Sequence, residues 1–280
     1  MKLAITGTSG FIGGSLYEHF VKKNDVMPIR LRGNMDFQKL EDEIIEYKPE
    51  VFISCGWSQG NNFSSTNDNM QFDNIFVGNK LLSILSKLSS LHFVGFGSFA
   101  EYGSKNYPIS EDAEELPESL YGISKRIHKD VTELFCKQAG FSWAWIRPCF
   151  VYGPGDVSTR LISRAVSSCL GGEPLVLDAC KSIVDYLYID DFVEAVNELL
   201  SLRAEGIYNV CSGKQYVVYD IVREIQTLCD KHNSISFDDS LERKSFPKYI
   251  CGDNNKLRAM TGWEPRHSIS EGLKKTMEQS

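Results

Sequence analysis

The chain has 280 residues, 42% of them hydrophobic and 24% charged, enough apolar material for one large domain or two intimately joined ones. Its formal net charge of -7 excludes a broad basic surface for nucleic acid, so any phosphate site must be local. No apolar run approaches the roughly 20 residues that span a bilayer, and Met1-Lys2 leads into a strand without signal-peptide character; no membrane partner and a cytoplasmic location are expected.

Residues 2–6 read as a short buried strand, and apolar residues at helical spacing predict a helix over 11–22. A strand over 26–31, a helix over 37–47 and a strand over 51–54 follow. Then come a long helix over 67–89, a strand over 91–96, a helix over 120–138 and a strand over 142–146. Strict alternation of this kind predicts an α/β protein with a doubly wound parallel sheet, whose ligands bind beyond the carboxyl ends of the strands. After Pro154 the pattern loosens, with helices expected over 161–170, 192–200, 219–230 and 269–277 and strands over 185–189 and 207–210. The expected division is a Rossmann-type dinucleotide-binding domain over 1–153 plus about 184–212, interleaved with a smaller C-terminal α/β substrate domain over about 154–183 plus 213–280. The 8 cysteines form no Cys-x-x-Cys pair and no tight Cys/His cluster, which reads as reduced structural thiols and no metal site.

Two local patterns carry chemistry. Gly7-Thr8-Ser9-Gly10-Phe11-Ile12-Gly13 follows the first strand and opens the first helix, where glycines let a backbone approach a pyrophosphate and the helix N-terminus attracts it. The glycine spacing differs by one residue from Gly-x-Gly-x-x-Gly, so it does not name the cofactor. At the end of the second strand, where an acidic residue would bind the ribose of NAD, stand Arg30 and Arg32, and guanidinium groups suit a 2′-phosphate; NADPH is therefore favoured over NAD. Asp36 either accepts a hydrogen bond from the adenine or caps the helix at 37. The second pattern is Tyr121-Gly-Ile-Ser-Lys125, a phenol and an ammonium on one helix face, where the cation favours the phenolate and suits proton transfer near neutrality.

Together with Gly97-Ser98-Phe99-Ala-Glu-Tyr102-Gly103, Arg147-Pro148-Cys-Phe-Val-Tyr152-Gly153-Pro154-Gly155, Asp185-Tyr-Leu-Tyr-Ile-Asp190-Asp191 and Gly262-Trp263-Glu-Pro265, these patterns resemble the extended short-chain dehydrogenase/reductases, in their nucleotide-sugar epimerase/dehydratase/reductase branch. The resemblance covers essentially the whole chain. It implies that Ser98 hydrogen-bonds a substrate carbonyl or hydroxyl, that Tyr121 transfers the proton, and that Lys125 biases the phenol and holds the nicotinamide ribose. It also implies cofactor contacts from Gly7, Ser9, Gly10, Phe11, Ile12 and Gly13, from Cys55, Gly56 and Trp57 after the third strand, from Asn74, and from Pro148 beside the nicotinamide. Ser98, Phe99 and Tyr121 would face the sugar of a nucleotide-diphosphate sugar, with Arg160 as first choice for its diphosphate and Trp57 and Tyr186 as candidate pocket aromatics.

Departures from the family narrow the reaction. Sugar 4,6-dehydratases carry an Asp-Glu pair where this chain has Phe99-Ala100, which disfavours dehydration. The Cys and His of 3,5-epimerising reductases have no counterpart at the matching places. The remaining expectation is an NADPH-dependent 4-ketoreductase for a nucleotide-linked 4-keto-6-deoxy sugar. A 4-epimerase with bound NAD is the alternative, and a non-catalytic dinucleotide sensor the third reading. The resemblance further implies a homodimer formed through the long helices at 67–89 and 120–138.

Overall fold

The computed structural model describes residues 1–31, 35–58, 68–230, 234–241 and 247–279. In chain order its first elements are β1 (Lys2–Thr6), α1 (Phe11–Phe20), β2 (Asp25–Ile29), α2 (Phe37–Tyr47), β3 (Val51–Ser54), α3 (Asp68–Leu85), β4 (His92–Phe96), a 3-10 turn (Phe99–Glu101), α4 (Leu120–Ala139) and β5 (Ser142–Pro148). They are followed by β6 (Phe150–Tyr152), α5 (Leu161–Cys169), β7 (Leu175–Leu177), β8 (Ile183–Val184), β9 (Tyr186–Tyr188), α6 (Ile189–Ser201) and β10 (Gly206–Val210). The last are β11 (Tyr216–Val217), α7 (Val218–Leu228), β12 (Ile235–Phe237), β13 (Tyr249–Ile250), α8 (Asn255–Thr261) and α9 (Ile269–Glu278).

The chain divides into two compact units, each assembled from separate stretches: Met1–Gly103, Glu114–Arg147 and Val196–Tyr208 in one, Ser104–Ala113, Pro148–Ala195 and Asn209–Ser280 in the other. The central six-stranded sheet has the order β10-β5-β4-β3-β1-β2, and β1 pairs in parallel with both β2 and β3. Strand order therefore reverses between β1 and β3, the switch point at which an open α/β sheet receives its ligand. This is the doubly wound sheet that the alternation predicts. Its central strands β3 and β4 are buried nearly throughout, because helices cover both faces, and they accordingly read as continuous apolar runs rather than alternating ones. Helix ends follow local chemistry: Asp36 caps α2 by accepting from the Gln38 and Lys39 amides, and Ser119 caps α4 by accepting from Gly122.

Within the second unit, β6 pairs in parallel with β9, β7 with β12, and β8 lies between β11 and β13. The 185–189 segment differs from expectation, since its strand joins β6 in a separate two-stranded sheet instead of the central sheet. Asp185, which precedes this strand, is fully buried, and its carboxylate accepts from Ser212 N, Ser212 Oγ and Gly213 N at 2.8, 2.6 and 2.8 Å. Strands β7, β8 and β11 to β13, two or three residues each, are too short to show a period and were not legible in advance. Among the described residues no helix is long and apolar enough to cross a membrane, and no group of three His, Cys, Asp or Glu side chains is placed to hold a metal.

His92 opens β4 fully buried, its Nδ1 2.8 Å from Ser142 Oγ and its Nε2 without a hydrogen-bond partner. Burial, with Arg203 adding to it, pushes its pKa down to about 4. The folded ring is thus held neutral, and the stability this gives is complete above the unfolded value of about 6.5 and is lost as pH falls from there toward 4. We expect urea midpoints measured at pH 7 and pH 5 to fall further for the wild type than for His92→Gln, by on the order of 2 kcal/mol. Equal losses would contradict the assignment.

Candidate active site

The glycine turn stands at the carboxyl end of β1. Gly7 has φ +73°, and a Cβ there would come within 2.8 Å of the Gly56 backbone, so only glycine allows the first and third strands to leave the sheet this close together. A Cβ on Gly13 would collide with the Gly7 carbonyl. Gly10 is the N-cap of α1 and supplies no side-chain cap, and the first turn holds no acidic residue. A tight glycine turn that brings bare backbone to an uncapped helix N-terminus fits a dinucleotide pyrophosphate. Ser9 and Gly10 are exposed there, Phe11 and Ile12 half-buried. Arg30 is exposed just past the end of β2, whereas Arg32 lies outside the described residues. Of the two readings of Asp36, the helix cap is the one observed: its Oδ1 accepts from Gln38 N at 3.0 Å and Lys39 N at 3.1 Å.

Beyond β3, Gly56 N donates to Thr6 Oγ1 at 2.9 Å, and Asn74 on α3 brackets Ser58, accepting from its amide at 2.9 Å and donating to its carbonyl at 3.1 Å. Asn74 therefore fixes the backbone of the segment that presents Cys55, Gly56 and Trp57. Burial pushes the Cys55 thiol up, so it remains protonated at neutral pH.

Ser98 follows β4 and starts the 3-10 turn. Its Oγ accepts from Ala100 N at 3.1 Å, which orients the hydroxyl and leaves its hydrogen to donate. Tyr121 lies in the first turn of α4, where Gly122 lets the helix approach the turn so closely that a Cβ would meet the Ala100 carbonyl. One turn later Lys125, 4% exposed, donates from Nζ to the Phe96 carbonyl at 2.8 Å, and its ammonium sits 5.9 Å from the Tyr121 ring centroid and 4.0 Å from that of Trp57. Burial lowers its pKa to about 7, against the opposing pull of Glu101 and Cys55. The lysine thus ties the helix carrying Tyr121 to the strand that delivers Ser98. Phe99 points its ring into the core, edge-on to Tyr102 at 5.5 Å.

The motif reading assigns no role to the ionic pair underneath. Glu101, fully buried, accepts from Ser98 N at 2.8 Å and Trp145 Nε1 at 3.2 Å through Oε1, and from Arg147 Nε at 2.8 Å through Oε2. Arg147 also pairs with Glu115, which Lys129 holds at 2.6 Å. Burial works against the charge of Arg147, but Glu101 and Glu115 overcome it and keep the guanidinium protonated. The signal was present in the sequence as a cation ending an otherwise apolar strand, Trp-Ala-Trp-Ile-Arg147. Pro148 and Arg160 belong to the second unit, where Arg160 bonds Val151 O at 3.1 Å and Asp156 Oδ1 at 3.0 Å.

Residues 3–211 match the model of the NAD dependent epimerase/dehydratase family. The chain belongs to that family. It is accordingly an NAD(P)-dependent enzyme of the extended short-chain dehydrogenase/reductase type, as its motifs suggest. Among curated relatives, a GDP-6-deoxy-D-mannose reductase of Pseudomonas aeruginosa is 23% identical over 299 aligned positions that span 98% of this chain and 95% of the relative. Among solved structures, a Thermus thermophilus UDP-glucose 4-epimerase in complex with NAD superposes with TM-score 0.88 at 22% identity, covering 100% of this chain and 98% of its own. The structure of RMD from Pseudomonas aeruginosa complexed with NADPH does so with TM-score 0.83 at 22% identity, covering 99% and 98%. The fold is thus shared with proteins described as binding NAD and NADPH.

Arg147→Met would leave Glu101 buried without its cation, and we expect a loss of about 3–5 kcal/mol, read as a lowered urea midpoint. A midpoint unchanged from wild type would mean that the pair contributes nothing to holding the Ser98 turn.

Proposed function

We propose that this protein reduces the keto group of a nucleotide-linked 4-keto-6-deoxy sugar with NADPH. The observation that carries the reading is the arrangement around β4 and α4: an oriented Ser98 hydroxyl, Tyr121, and a buried Lys125 ammonium joined to the Phe96 carbonyl. Ser98 donates to the sugar carbonyl oxygen, and Tyr121 delivers a proton to that oxygen as it gains charge. The neighbouring lysine cation favours the phenolate left behind. A nicotinamide cofactor supplies the hydride; Gly7, Gly10 and Gly13 would hold its pyrophosphate, Lys125 its ribose, and Ser9, Phe11, Ile12, Cys55, Gly56, Asn74 and Pro148 its remaining surface.

Phe99 and Ala100 stand where the family's dehydratases carry their Asp-Glu pair, which disfavours dehydration. Phe99 and Ala100 are both buried, and the nearby carboxylate of Glu101 is fully engaged by Ser98 N, Trp145 and Arg147. The exposed Arg30 at the end of β2 supports NADPH, and Arg32 would add to it. The likeness to an NAD-bound 4-epimerase keeps oxidation and re-reduction at C4 as the second reading. We assign the substrate diphosphate to Arg160, whose charge is already shared with Asp156.

We further propose a homodimer. Helices α3 and α4 pack on each other and leave Phe72 and Phe76 on one, and Ile123, Ile127, Val131 and Leu134 on the other, exposed at helical spacing. With Phe72 58% and Leu134 57% exposed, this is an apolar stripe that a second copy would cover. Sedimentation should report a dimer for the wild type and a monomer for Ile127→Glu/Leu134→Glu. A wild-type monomer, or a double variant that stays dimeric, would contradict the assignment.

For the chemistry, Tyr121→Phe should cut NADPH oxidation on a keto sugar by at least about 100-fold while NADPH binding, followed by fluorescence, stays within a few-fold of wild type. Full turnover by the variant would contradict the mechanism.

A further inference from the structure

Trp57 contributes an aromatic face to the lysine rather than a generic apolar surface, and the chain invests heavily in holding it. The residues on either side are pinned, Gly56 by Thr6 Oγ1 and Ser58 by both ends of the Asn74 amide. The indole N–H donates at 3.0 Å to Gln71 Oε1, and Gln71 is fully buried on α3. The His128 ring packs against the indole with centroids 5.7 Å apart and against Trp145 at 5.6 Å. Gly78 on α3 makes room for it, since a Cβ there would come within 2.6 Å of His128 Cε1. Lys125 Nζ lies 4.0 Å from the centroid of the ring so fixed.

We propose that Trp57 is a positioning residue for Lys125, its indole face holding the ammonium by a cation–π interaction where water cannot. The inference rests on the reading of Tyr121 and Lys125 as the proton-transfer pair. The groups facing Lys125 from its surroundings are Glu101 in the 3-10 turn, Cys55 after β3, Tyr121 and His128 on α4, and the Phe96 carbonyl of β4. Burial, assisted by Lys125, holds His128 neutral by lowering its pKa to about 3, so it offers the lysine no competing charge at neutral pH. Glu101 is already engaged by Arg147. The aromatic face is therefore the contact by which a substitution can change the cost of the lysine charge while Glu101 and the Phe96 carbonyl keep their places. Because a π face stabilises only the charged lysine, removing it should lower the pH at which Lys125 loses its proton.

The test is a pH titration of Lys125 by NMR in lysine-labelled protein, assigned with Lys125→Met, for the wild type, Trp57→Phe and Trp57→Leu. Leucine keeps the site apolar but removes the ring. We expect the Lys125 midpoint to fall by about one pH unit in Trp57→Leu, with Trp57→Phe between the two. The alkaline limb of kcat for keto-sugar reduction should move down with it, while KM for the sugar stays within about twofold. Midpoints that coincide in all three proteins overturn the inference, and should Trp57→Leu fail to fold, a Trp57→Phe midpoint equal to wild type overturns it alone. A protein that oxidises no NADPH on any keto sugar overturns the functional reading instead, and the NMR midpoints then decide the role of Trp57 by themselves.

Discussion

A lysine ammonium removed from water must be held by groups that do not neutralise it, and in this protein Lys125 has the Phe96 carbonyl at 2.8 Å and the Trp57 ring at 4.0 Å. Much of the first unit can be understood from that requirement. The carbonyl is the last of β4, so holding the lysine also joins α4 to the strand end from which Ser98 emerges. A depressed pKa of about 7 puts the lysine near the point where its charge can be lost. Its charge therefore depends more on its local surroundings than that of a solvated lysine would.

The Glu101–Arg147 pair solves a related problem one layer below. The turn that carries Ser98 is fastened by the Glu101 carboxylate, which accepts from the turn's first amide, from an indole on β5 and from a guanidinium at the end of the same strand. Buried ion pairs seldom add much net stability over apolar packing of the same volume, so the value of this one lies in geometry.

Much of this was legible in the sequence because the physics is local. The glycines of the first turn, the Tyr121 and Lys125 spacing and the serine after a strand are fixed by backbone conformation and helical period, and the doubly wound sheet follows from alternation alone. What escaped was set by contacts distant in sequence. The contacts of Trp57 with Gln71, His128 and Lys125, and the two bonds by which the Asn74 amide brackets Ser58, join residues too far apart in sequence to be read from spacing. The short strands of the second unit and the pairing of the 186–188 strand with β6 are equally non-local.

In the proposed reduction hydride passes once, from cofactor to a sugar carbonyl, and stays there. The most direct measurement uses NADPH deuterated at the transferable position with a panel of nucleotide-linked 4-keto-6-deoxy sugars, followed by NMR of the product. The account predicts one deuterium at the sugar's C4 for each NADPH oxidised, with no turnover when cofactor is withheld. Interconversion of sugars without added cofactor and without deuterium in the product would contradict it.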